Sequence, residues 1–276
     1  MKKGSLSIID YYSLESPFAT EFRRLLQRLK RHDAGHELKV VMITSANLSE
    51  GKSTICALMS ITAAKKGIKT LLVDTDLRRP TVHKLFNVDR EPGLTGVLEN
   101  GLIGKNVVRK SPLEHLDLIT AGRPTAEAAE VFDAPAIGRL LTEMKFYYDL
   151  IIVDCAPIIP VSDPMLLAPE VDGVLMVVRA GQTSRDVATR AVDIMRSNKT
   201  EILGVVLNNA NNTLPYYYDY KYYGYNYAPS RAEQRANKHA EKKRANKNES
   251  PQSSGSGSSA KKSSEGPKLK GNSISN

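Results

Sequence analysis

Six short aliphatic runs, rich in β-branched residues, punctuate the first 210 positions: KVVMIT (39–44), TLLVD (70–74), LDLIT (116–120), DLIIVD (149–154), GVLMVV (173–178) and ILGVVLN (202–208). They are close to continuously apolar rather than alternating, so each reads as a strand covered on both faces. Helical patterns separate them at 52–66, 80–86, 130–145 and 184–197, and one at 20–31 precedes the first. Buried strands alternating with helices specify a mostly parallel sheet wrapped on both sides, an α/β fold of the doubly wound kind. In that architecture ligands sit beyond the carboxyl ends of the strands.

The first run leads into ITSANLSEGKST (43–54), followed by the helical pattern ICALMSITAAKK. Strand, Gly-Lys-Ser turn and helix form the context of a phosphate-binding P-loop, with Ala46 in the place of its first glycine. The backbone of Asn47, Leu48, Ser49, Glu50, Gly51, Lys52, Ser53 and Thr54, together with the helix N-terminus, would face a polyphosphate. Lys52 would reach the outer phosphates, and Ser53 would ligate Mg2+. Two more strands end in carboxylates. LLVDTDLRRP (71–80) carries Asp74 and Asp76 at alternate positions, so an extended chain aims both the same way. LIIVDCAP (150–157) ends in Asp154. The fold would therefore gather Lys52, Ser53, Asp74, Asp76 and Asp154 at one edge.

The formal charge of +9 is a property of the tail. Residues 228–276 hold eleven Lys/Arg against four Asp/Glu, a net +7, which leaves +2 for 1–227. That tail is rich in Ser, Gly, Asn and Lys and has no aromatic residue, so it is expected to stay disordered. Just before it lies PYYYDYKYYGYNY (215–227), which holds eight of the twelve tyrosines. No helix or strand periodicity accounts for that run. Cys56 and Cys155 are too few for a disulfide framework and fall in a helical and a strand pattern, as suits a reducing compartment. The N-terminus has no apolar signal core, and the apolar stretch at 150–178 is broken by Asp154, Asp163, Glu170 and Asp172, so no membrane span is expected.

LLVDTDLRRPTVHKLF (71–86), PGLTGVL (92–98), DLIIVDCAPIIPVSD (149–163), DGVLMVVRAGQT (172–183) and GVVLN (204–208), closed by the tyrosine cluster, resemble the bacterial tyrosine kinases of the cytoplasmic CpsD/CapB type. These are deviant-Walker P-loop NTPases related to the Min and ParA ATPases, and they are autokinases that control capsule and exopolysaccharide production. The resemblance spans about 20–227. It implies ATP and Mg2+ as cofactors, with Lys52 on the phosphates and Mg2+ organised by Ser53, Asp154 and Asp74. Asp74 or Asp76 would accept the phenolic proton, and Asn208 would contact adenine. Arg78 and Arg79 match the family block, as phosphate clamp, subunit contact or structural ion pair. Tyr216, Tyr217, Tyr218, Tyr220, Tyr222, Tyr223, Tyr225 and Tyr227 would be the autophosphorylation sites, modified in a neighbouring subunit. The tether from Asn208 to the cluster spans at most roughly 28 Å, so its length does not forbid self-modification.

The same resemblance implies a membrane-anchored activator of the polysaccharide co-polymerase kind, a homo-oligomer, a cognate tyrosine phosphatase and no nucleic acid. It places the chain in the cytoplasm at the inner face of the membrane. The expected layout is an N-terminal oligomerisation segment (1–37), a kinase domain (38–210), the tyrosine cluster (211–227) and the basic tail (228–276). Two departures stand out. The family's Pro-Gly is Leu48-Ser49 here, and a positive φ at 49 would strain serine and weaken nucleotide affinity. The family's Glu-x2-Arg-x2-Arg oligomer motif becomes Glu21-x2-Arg24-x2-Gln27, with Arg28 next door. The competing expectations are a Min/ParA-type ATPase that binds membrane or DNA without modifying itself, and an adaptor phosphorylated by others.

Overall fold

All six runs form strands in the computed structural model, which describes residues 7–31, 38–125, 127–198 and 200–210. They are β1 (Val40–Ser45), β2 (Thr70–Asp74), β4 (Leu116–Ile119), β5 (Leu150–Asp154), β6 (Gly173–Arg179) and β7 (Ile202–Asn208). A seventh, β3 (Arg109–Lys110), is two residues long and pairs antiparallel with β4; every other pairing is parallel. The order across the sheet is β3-β4-β2-β5-β1-β6-β7. β1 therefore lies inside the sheet, with β5 between it and β2. Val40–Ser45, Thr70–Asp74 and Leu150–Asp154 are buried throughout, as continuous apolar runs require. β7 departs from that expectation: as an edge strand it is half-exposed, with Val205 and Leu207 open to solvent.

The helices are α1 (Pro17–Lys30), α2 (Lys52–Ala64), α3 (Val82–Phe86), α4 (Leu94–Asn100), α5 (Gly104–Val107), α6 (Ala128–Val131), α7 (Ala134–Met144), α8 (Asp163–Leu167) and α9 (Arg185–Ser197). The pattern at 130–145, expected as one helix, is two. Asp133 caps α7 by accepting the Ala136 N–H at 3.0 Å, and Pro135 occupies its first turn, so α6 stops short. α1 begins earlier than its apolar pattern, at Pro17, because the Ser16 hydroxyl accepts from Ala19 N.

Two apolar layers flank the sheet. One joins Met42, Val73 and Val153 to α7 and to Ala191 and Met195 of α9. The other joins Ile43, Leu72 and Ile152 to α2 and to Phe22, Leu26 and Leu29 of α1. Each of those three α1 side chains contributes about 1.5–3 kcal/mol by burial, so α1 is tied to the same core as the sheet. α2 packs between the sheet and α1 and is buried on most of its surface. That fixes its N-terminus, where the P-loop delivers it. The chain divides into two units, Met1–Asp219 and Tyr220–Asn276. The tyrosine cluster and the basic tail lie outside the described residues.

Candidate active site

The loop after β1 enters α2 through Gly51, whose φ of +94° is left-handed. A Cβ there would come within 2.2 Å of Asn208 Nδ2, so glycine is required for space as well as for torsion. Among the described residues no side chain caps the start of α2. The amides of its first turn, at Lys52, Ser53 and Thr54, are left for an anion, and the helix dipole favours one. Ser49 has φ +62°, the strained geometry that Leu48-Ser49 raised as a question. Leu48 and Ser49 are exposed, Asn47 is half-buried and Glu50 is buried. Glu50 Oε2 accepts the Asn47 N–H at 2.9 Å, and Ser45 Oγ donates to Asn47 O at 2.7 Å.

The carboxylates meet as the strand order dictates. Register aligns Asp74 with Asp154, and Asp154 with Ile43 of β1. Lys52 Nζ then donates to Asp76 Oδ2 at 2.8 Å and to Asp154 Oδ1 at 3.3 Å, and lies 3.3 Å from Ser53 Oγ. The neighbouring carboxylates hold the Lys52 ammonium well above its ordinary pKa despite the opposing effect of burial. Asp154 is raised by burial, against the pull of Lys52. Its Oδ2 is buried and accepts no hydrogen bond among the described residues. An orphaned carboxylate oxygen beside Ser53 fits a divalent cation, since an oxygen donor set of this kind suits Mg2+.

Asp74 is placed differently. Its Oδ1 accepts Asp76 N at 3.2 Å, and its Oδ2 accepts Thr81 N and Val82 N, each at 3.1 Å. It organises the 75–81 loop and the start of α3. Burial and the adjacent Asp154 push its pKa up to about 8. Asp76 Oδ1 accepts Arg79 N at 2.9 Å. The buried thiols of Cys56 and Cys155 are both raised, chiefly by burial, which makes them poor nucleophiles.

Asn208 ends β7 against the P-loop: its Nδ2 donates to Glu50 O at 2.8 Å and its Oδ1 accepts from Asn209 N. Glu21 and Arg24 pair with each other at 2.6 Å on the exposed face of α1, away from this cluster. Three residues escaped the sequence reading. Asp163 holds Arg78 in a two-pronged pair, Nε to Oδ2 at 3.2 Å and Nη2 to Oδ1 at 3.4 Å. Arg78 and Arg79 are both exposed. Thr183 and Arg179 reach the P-loop from beyond the end of β6 and from its last residue. The strings VSD and RAGQT were visible, but nothing local says what they touch.

The ParA family, described as the NUBPL iron-transfer P-loop NTPase, matches residues 37–241. Tyrosine-protein kinase YwqD of Bacillus subtilis is 33% identical over 224 residues, 81% of this chain and 92% of that one. The chain belongs to the bacterial tyrosine kinases of the CpsD/CapB type. Tyrosine-protein kinase CpsD of Streptococcus agalactiae is 29% identical to this kinase, over 69% of its length and 84% of the relative's. Among solved structures, the kinase domain of the Escherichia coli tyrosine kinase ETK has a TM-score of 0.70 at 25% identity, covering 75% of this kinase and 82% of that chain. The chimerical protein CapA2B2 reaches 0.68 at 28%, covering 74% and 92%. MinD of Pyrococcus horikoshii, solved with Mg-ADP, is 20% identical with a TM-score of 0.57, covering 64% and 72%, and shares the fold alone. As a member of a P-loop NTPase family the kinase binds nucleotide, and the kinase relatives outrank the Min-type alternative. Among the described residues no helix is long and apolar enough to cross a membrane.

Proposed function

We propose that this kinase transfers the γ-phosphoryl group of ATP to tyrosine hydroxyls, and that its own cluster, Tyr216–Tyr227, is the substrate when presented by a neighbouring subunit. One observation carries the reading: Lys52 Nζ joins Asp76 and Asp154 at the point where β1, β2 and β5 end, beside an uncapped helix N-terminus. A phenol of pKa about 10 needs a base at neutral pH. Asp76 suits that role better than Asp74: its Oδ2 is held by the Lys52 ammonium, which would turn to the phosphates when ATP binds, whereas both oxygens of Asp74 are held by backbone amides. As the tyrosine oxygen bonds to the γ-phosphorus, the bond to the β–γ bridging oxygen breaks. ADP departs with that electron pair, and the phenolic proton passes to Asp76. Lys52 and the first-turn amides of α2 offset the charge on the phosphoryl oxygens, the largest demand that phosphoryl transfer makes on a protein. Mg2+ held by Ser53 and Asp154, with Asp74 behind them, would neutralise phosphate charge when bound. Asn208 would meet the adenine while staying anchored to Glu50.

In this reading residues 1–37, with Glu21 and Arg24, serve assembly of a homo-oligomer. Residues 38–210 are the catalytic body, 211–227 the substrate and 228–276 the basic tail. Relatives include the succinoglycan biosynthesis transport protein ExoP of Rhizobium meliloti, 31% identical over 212 residues. This supports control of capsular or exopolysaccharide synthesis or export, through a membrane-anchored activator at the inner face of the membrane and with a tyrosine phosphatase to reverse the mark.

Mass spectrometry of the purified chain before and after ATP and Mg2+, with and without the activator's cytoplasmic segment, tests the proposal. Phosphate should appear on tyrosines within 216–227 of the wild type and not on Lys52→Met. A chain that gains none under any condition is not an autokinase. If ATP turnover then responds to liposomes or DNA, the Min/ParA-type reading takes its place.

A further inference from the structure

Glu50 faces the opposite way from its exposed neighbours in the P-loop. Its side chain points inward, 1% exposed, and both carboxylate oxygens are used. Oε2 accepts the Asn47 N–H at 2.9 Å, closing the loop on itself, and Oε1 accepts the hydroxyl of Thr183. Thr183 Oγ1 in turn accepts the N–H of Arg179 at 2.9 Å. The Arg179 guanidinium donates to Ser49 O at 3.0 Å, and Asn208 Nδ2 donates to Glu50 O at 2.8 Å. Three residues beyond or at the ends of β6 and β7 therefore grip the outer half of the P-loop.

We infer that Thr183 is a positioning residue for nucleotide: its hydroxyl, acting through Glu50, holds the P-loop amides in their phosphate-facing arrangement. The inference rests on the nucleotide-binding reading of the P-loop. The loop carries two left-handed residues, Ser49 at φ +62° and Gly51 at φ +94°, on either side of Glu50. A free loop would relax away from that geometry, because serine disfavours it. The buried Glu50 carboxylate is the strut, and Thr183 satisfies the oxygen that Asn47 does not. Removing the hydroxyl leaves a buried charged acceptor unpaired, and the loop must shift to hydrate it. The hydrogen bonds of Thr183 run to Glu50 and Arg179, not to Lys52 or the three aspartates. The damage should therefore fall on nucleotide affinity rather than on turnover.

The test uses the full chain and a fluorescent ADP analogue. Thr183→Val keeps the shape and removes the hydroxyl; Thr183→Ser keeps the hydroxyl and removes a methyl. The analogue's Kd should weaken about tenfold in Thr183→Val and stay within about threefold in Thr183→Ser. In tyrosine phosphorylation, KM for ATP should rise in step while kcat at saturating ATP stays within about threefold. An unchanged Kd in Thr183→Val, equal weakening in both variants, or a fall in kcat at constant KM overturns the inference, as does a wild type that does not bind the analogue. A wild type that binds it but never forms phosphotyrosine overturns the kinase reading and leaves the Thr183 comparison standing. A chain that forms phosphotyrosine with equal Kd in wild type and Thr183→Val overturns this inference alone.

Discussion

Two loops build the site, and they are held in opposite ways. The loop after β2 is held largely from within: Asp74 binds the amides of residues two, seven and eight positions on, and Asp76 binds one three positions on. Thr75, bonded to Asp154 O, and Arg78, bonded to Asp163, tie it to the rest of the chain. The loop after β1 is held largely from a distance, by Arg179, Thr183 and Asn208, which lie 130 to 158 positions away along the chain. Lys52 joins the two loops. The aspartate loop brings its geometry with its own sequence, whereas the P-loop acquires part of its geometry only when β6 and β7 are in place. Local disturbances should therefore damage the first loop, and disturbances at the far edge of the sheet should damage the second.

The strongest way to break this contrast is at Asp74. In Asp74→Ala the amides of Asp76, Thr81 and Val82 lose their acceptor in a buried place, and unfolding free energy in urea should fall by about 3 kcal/mol. Asp74→Asn keeps one oxygen for Thr81 and Val82 and relieves the repulsion from Asp154, which offsets the loss of the longer bond from Asp76 N, where the amide NH2 now faces another donor. It should stay within about 1 kcal/mol of wild type. If the two variants lose the same amount, the loop is not organised by an amide-accepting oxygen, and the comparison fails.

How much of this was legible in the sequence follows the same line. The six strands, the P-loop and its Lys52 and Ser53, and the three aspartates at strand ends could be read because each rests on short-range patterning plus one topological rule, although β7 proves a half-exposed edge strand and not a buried one. Strand order then brought Asp74 and Asp154 side by side without further information. The break at Asp133, β3 and the short helices α4, α5 and α8 were not read. They depend on single caps or on contacts with distant segments. Asp163, Arg179 and Thr183 stayed hidden for the same reason, since a hydrogen bond across more than eighty positions leaves no periodicity. Ser49 is the instructive exception. The substitution for glycine was visible, and its torsion confirms the strain, but the Arg179 bond to its carbonyl was not foreseeable.

Asp163 sharpens the contrast from the other side. Its pair with Arg78 is a tie from the aspartate loop to a remote element, and Arg78 is 36% exposed, so water screens it. Asp163→Asn should cost about 1 kcal/mol or less in urea unfolding and change the phosphorylation rate by less than about threefold. A loss as large as that of Asp74→Ala would mean that the loop leans on α8 and does not hold itself.

The smallest effect has the opposite sign and sits in the other loop. Ser49 is exposed and left-handed, and its contribution to the brace is its carbonyl, which any residue supplies. Glycine at this φ removes a steric cost of roughly 1–2 kcal/mol, while extra freedom in the unfolded chain takes back about 0.4–1. Ser49→Gly should therefore be more stable than wild type by about 0.5 kcal/mol in urea unfolding, with the ADP analogue bound as tightly or more tightly. The sign is what decides. If Ser49→Gly loses both stability and affinity, the serine side chain is part of the brace, and the strain at 49 is there to be used when nucleotide enters. If stability rises and affinity holds, the distant bonds from Arg179, Thr183 and Asn208 suffice to shape the loop, and Ser49 is only a strained stand-in for glycine.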